Sequence, residues 1–98
     1  MEDNNNFDVV DRSICDFVNN VVDESKDKFN TAKTRLEISD KIIGYLSQFV
    51  SDNVIREYSV VCDERNNPPS IIQDNNLSVD VNWKDKIGRY KYITRKFH

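Results

Sequence analysis

The segment YSVVCDERNNPPSIIQDNNLSVDVNWKDKIGRYKYITRKF, residues 58–97, decides the fold. Within it Leu77, Val79, Val81 and Trp83 alternate with Ser78, Asp80, Asn82 and Lys84, the period of two that marks a strand with one buried and one wetted face. Asp85 to Gly88 supplies turn chemistry, and Tyr90, Tyr92 and Thr94 then alternate with Lys91, Ile93 and Arg95 in a further strand spanning Arg89 to Phe97. On the other side, Tyr58, Val60 and Cys62 alternate with Ser59, Val61 and Asp63. Between these strands, residues 65–76 hold the adjacent prolines Pro68 and Pro69, which can neither donate to a ladder nor continue a helix, so a loop or short turn is predicted there.

Upstream the period changes to 3.6. Val10, Ile14, Phe17, Val18, Val21 and Val22 recur on one helical face, predicting a helix over residues 8–24 with Asp8 as its N-cap. Asn30 and Thr31 offer a second capping site, and Thr34 with Glu37 has capping-box spacing. The second helix would bury Leu36, Ile42 or Ile43, Leu46, Phe49 and Val50 and end near Ser51 to Asn53. Gly44 inside it reads as a mark of close packing. The order α-α-β-β-β predicts one α+β domain over residues 1–98, with two helices on one face of a small, mainly antiparallel three-stranded sheet that partner strands could complete.

The composition narrows the function. At 98 residues and 32% charged, the chain suits one modest core. Its apolar runs, such as Val60-Val61-Cys62, fall far short of the roughly 20 residues of a membrane span. No basic, apolar signal segment opens the sequence, so a cytoplasmic origin is expected. Residues 1–24 carry Glu2, Asp3, Asp8, Asp11, Asp16, Asp23 and Glu24 against Arg12, whereas residues 84–98 carry six cations against Asp85. Such poles suit either head-to-tail association or intramolecular neutralisation. Cys15 and Cys62 read as small buried hydrophobes and not as a bridge. Cys15, Cys62 and His98 lack metal-ligand spacing, the chain's Gly44 and Gly88 make no phosphate loop, and the adjacent Asp63 and Glu64 diverge from a strand end. No cofactor, metal or catalytic group is expected.

Residues 58–81, YSVVCDERNNPPSIIQDNNLSVDV, resemble the signature of the C-terminal domain of contractile phage tail sheath proteins, in which a strand ends in Cys-Asp-Glu, then Asn-Asn-Pro, then a second alternating strand. The match holds Val61, Cys62, Asp63, Glu64, Asn66, Asn67 and Pro68 in unbroken register. Phe7 to Val22 stands where that family has a helix, keeping Arg12 of its early arginines, and Thr34-Arg35 keeps the Thr-Arg pair that precedes its long helix. The resemblance implies a tube-facing structural module onto whose sheet neighbouring subunits add extended arms. The large outer sheath domains are missing, and with Met1 to Asn6 alone before the first helix the chain would accept strands but hardly donate one at that end. A sheath initiator, a tail-end cap or a baseplate part would fit, built in the host cytoplasm and carried in the virion. Its partners would be sheath, tube or baseplate proteins in a homo-oligomeric ring or a hetero-assembly. The strand expected to bind them is Arg89, Tyr90, Lys91, Tyr92, Ile93, Thr94 and Arg95, with Lys91 solvated.

Two other functions fit the residues. Tyrosines interleaved with cations in KDKIGRYKYITRKF, residues 84–97, also suit a single-strand nucleic-acid platform. The acidic pole would suit a small phage regulator that binds a host protein. Neither alternative is an enzyme.

Overall fold

Asp8 starts the first helix as predicted. Its carboxylate accepts the Asp11 N–H at 2.9 Å while the Asp11 carboxylate accepts the Asp8 N–H at 3.1 Å, a reciprocal capping box. The computed structural model describes residues 7–97, in the order α1 (Val9–Glu24), α2 (Ala32–Ser51), β1 (Ile55–Val61), α3 (Pro69–Gln73), β2 (Leu77–Asp85) and β3 (Tyr90–Phe97). His98 and the acidic Glu2 and Asp3 lie outside the described residues.

The three strands form one antiparallel sheet in the order β1-β2-β3. The sheet register brings Val79, Val81 and Trp83 of β2 opposite Arg95, Ile93 and Lys91 of β3, and Val81 and Trp83 opposite Val60 and Tyr58 of β1. Paired residues of an antiparallel ladder share a face, so these side chains all look toward the helices. There α1 packs on β3, α2 packs on β1, and the two helices pack on each other. The core is Ile14, Val18 and Val21 of α1, Ile38, Ile42 and Leu46 of α2, and Ile55, Leu77, Val79, Val81, Trp83 and Ile93 of the sheet. The α+β fold expected from the sequence is therefore the observed one, with Trp83 on the helix-covered face.

Four local expectations are corrected. The second helix turns Ile38, Ile42 and Leu46 inward, leaving Leu36 and Ile43 exposed, because Thr34 and Arg35 are drawn in at its start. Thr31 caps that helix by accepting the Thr34 N–H, and Glu37 pairs with Lys28 instead of forming a box with Thr34. The proline loop contains the short helix α3. Pro69 stands at its first position, where the missing N–H would have had no helical partner. Gly44 faces open space and marks no close approach.

Candidate functional site

The residues that carry the resemblance build a loop that ends one side of the sheet. Asn66 Oδ1 accepts the Asp63 N–H at 3.1 Å, and its Nδ2 donates to the Val61 carbonyl at 2.7 Å and to Asp80 at 3.0 Å. Asp63 in turn accepts the Arg65 N–H and guanidinium, and those hydrogen bonds hold its carboxyl down to about 2. Glu64 is exposed and Pro68 is the N-cap of α3. Cys62 is buried, and burial pushes its thiol up to about 12, leaving it neutral and inert.

Asn67 does something more specific. Register places a residue near position 63 opposite Ser78, but the chain has already turned away. The Asn67 side chain takes that place: Oδ1 accepts the Ser78 N–H at 2.8 Å and Nδ2 donates to the Ser78 carbonyl at 2.9 Å, extending the ladder with an amide that is not backbone. Asn30 Nδ2 donates to the same Oδ1 at 3.1 Å and to the Asn76 carbonyl, and the Arg35 guanidinium donates to Asn30 Oδ1. Arg35 of the Thr-Arg pair and Asn67 of the Asn-Asn-Pro run, far apart in sequence, thus meet through Asn30 in one buried network.

The C-terminal strand divides by parity. Tyr90 and Tyr92 are 72% and 70% exposed on the sheet face that no long helix covers, together with Thr94 and Lys96. Lys91 and Ile93 are buried on the other face, so the expectation of a solvated Lys91 is overturned. Asp11 is why. It is fully buried on α1, accepts the Trp83 Nε1–H at 2.8 Å, and forms a salt bridge with the Lys91 ammonium, which also lies 3.6 Å from Asp85 and over the Phe7 ring. Burial raises the Asp85 carboxyl, but the N–H groups of Arg89 and Ile87 and the Arg89 guanidinium outweigh it and hold the group below its ordinary range. Arg95 donates to Asn19 on α1 and to the Thr94 carbonyl at 3.0 Å. Part of the expected charge asymmetry is therefore neutralised within the molecule, by the contact of α1 with β3.

The same parity fixes the edges. The Asp85 N–H donates to the Arg89 carbonyl at 2.8 Å, and the β2/β3 register continues without a shift. Hydrogen-bonded pairs alternate in such a ladder, so Lys91, Ile93 and Arg95 bond to β2, while the backbone of Tyr90, Tyr92 and Thr94 points away from the sheet. On β1, Glu57, Ser59 and Val61 bond to β2, and the backbone of Tyr58 and Val60 points away. Among the described residues no further strand covers either edge.

A groove of about 410 Å³ lies where the α1 start, residues 52–54 and the β2/β3 turn meet, lined among others by Asp8, Asp52, Asp85 and Arg89. Its carboxylates already have partners: Asp8 caps α1, Asp11 and Asp85 pair with cations, and Asp52 accepts from the Gln48 amide. Among the described residues, no group of three or more His, Cys, Asp or Glu side chains is placed to hold a metal, and no helix is long and apolar enough to cross a membrane. No family model, no curated protein and no solved structure matches the chain.

Proposed function

We propose that this chain is a non-enzymatic structural subunit of a contractile phage tail, which joins sheath, tube or baseplate neighbours by accepting their extended segments on its sheet. The observation that carries this reading is the pair of open edges on a sheet of only three strands, each presenting outward backbone groups. The signature loop supports it in a second way. Asp63, Asn66 and Asn67 of the signature are occupied in closing the sheet end, and Asp11, Asp85 and Lys91 are occupied in fixing α1 to it. What remains for a partner is main chain.

Nucleic-acid binding is the weaker reading. The tyrosines are on display, but the cations between them are not: Lys91 is buried against Asp11, Arg89 holds Asp85 and Arg95 holds Asn19. On the face that carries Tyr90 and Tyr92, Lys84 and Lys96 are offset by Glu57 and Asp80, so little phosphate attraction is left there. Mass spectrometry of purified virions tests the choice. The chain should be found in the tail fraction at a fixed ratio to the sheath or tube protein. Its absence from particles, together with a salt-dependent gel shift on single-stranded DNA or RNA, would overturn the structural reading.

A further inference from the structure

The two long helices are too wide for the sheet beneath them. Side by side, two helices span about 20 Å and strands lie about 4.8 Å apart, so a helix pair covers about four strands. Here it covers three. One helix must overhang an edge, and the side chains on its outer flank show which.

On α2, Leu36, Ile43 and Val50 recur at seven-residue spacing and share one stripe. Leu36 is 61% exposed, Ile43 37%, and Val50 half-buried. Ser47 lies on the same stripe, one turn beyond Ile43, and its hydroxyl is 2.8 Å from the Tyr58 hydroxyl on β1. The apolar stripe therefore looks down over the free edge of β1. The corresponding flank of α1, over β3, is polar. Arg12, Asp16, Asn19 and Asp23 are exposed there, and Asn19 holds the Arg95 guanidinium that also covers the Thr94 carbonyl on that edge. Of the two edges, β3 is the guarded one.

We infer that the site of strand addition is the outer edge of β1 beneath α2, and that its occupant is a single extended arm of another protein chain with apolar side chains at alternate positions. This rests on the strand-addition reading above and moves the site from β3 to β1. The outward N–H and carbonyl groups of Tyr58 and Val60 supply the ladder, and inward-facing side chains of the arm fill the space between Val60 and the Leu36–Ile43 stripe. A second copy docking through its own β1 is excluded by width. It would bring two α2 helices within about 5 Å of each other, where packed helices need about 8–10 Å. The arm must arrive without a helix beside it.

A tethered strand tests the assignment. The full chain is extended after residue 98 by a Gly/Ser linker of about 12 residues, which reaches about 20 Å, followed by a strand of alternating valine and threonine. The tether supplies a high effective concentration and leaves both edges within reach. Amide exchange is then followed residue by residue by NMR. Exchange should slow about tenfold or more at Tyr58 and Val60, with shifts at the Leu36 and Ile43 methyls. The pair Leu36→Lys and Ile43→Lys should abolish that protection without changing the stability of the unextended chain. Protection at Tyr92 and Thr94 instead would overturn the assignment to β1 while leaving strand addition intact. Protection at neither edge would overturn both.

Discussion

Asn67 is polar, fully buried and irreplaceable by an apolar group of similar size, because its amide serves both backbone groups of Ser78 and the side chain of Asn30. Asn67→Ala leaves those groups unsatisfied in the interior and should cost about 2–3 kcal/mol, whereas Glu64→Ala, at an exposed position of the same loop, should stay within about 0.5 kcal/mol; urea unfolding of the two variants measures the difference. Lys91 makes the parallel case for charge. Lys91→Met strands the Asp11 carboxylate beneath α1 and should cost about 3–5 kcal/mol, and adding Asp11→Asn should restore part of that loss. If Lys91→Met were as stable as the wild type, the buried pair would not be the tie between α1 and the sheet. Neither role was evident from residue type. Residues 65–76 were legible as a loop or short turn from their prolines, but that the Asn67 amide stands in for a strand residue depends on where β1 stops. A trace of Lys91 was present: it shares the parity of Ile93, and Asp11 lies three residues before Ile14 on the buried face of α1.

The strands were the most legible elements, since Leu77, Val79, Val81 and Trp83 can alternate in only one way and their partners across the sheet inherit that parity. The second helix was the least legible. It carries two apolar stripes, Ile38-Ile42-Leu46 and Leu36-Ile43-Val50, and periodicity alone does not say which one the core takes; the buried Arg35 favours the first through its hydrogen bond to Asn30, which in turn holds Asn67. Gly44 likewise looked like a packing glycine and instead faces open space, so Gly44→Ala should stabilise the helix by about 1 kcal/mol and raise the melting temperature by about 4–8 °C. No gain, or a loss, would mean that the position is covered after all. Parity also changes how the C-terminal strand should be probed. The Ile93 N–H belongs to the β2 ladder and its side chain is buried, so Ile93→Pro should unfold the domain, while Tyr92→Pro removes only an outward donor and should melt within a few degrees of the wild type. Circular dichroism melts of the two proline variants separate these outcomes, and the reverse order would place the free edge on the opposite parity.

Across the whole molecule, part of the charge asymmetry of the sequence resolves into a tie between α1 and β3, and the apolar surplus resolves into the outer stripe of α2. The fold class was therefore readable from the chain, but the docking edge was not, because it depends on the width of two helices against three strands and on which side the excess falls. The C-terminal strand drew attention through its aromatic and basic residues, but Arg89, Lys91 and Arg95 are engaged within the molecule. The strand with the more inviting edge is β1, whose sequence IREYSVV carries no comparable signal. Addition of a strand to this sheet in an assembled particle is read by hydrogen exchange with mass spectrometry, on the free chain and on the same chain in purified tails. Peptides covering residues 55–61 should exchange much more slowly in tails than in the free chain, while those covering Tyr92 and Thr94 should change little. Equal exchange of both edges in the two states would contradict strand addition.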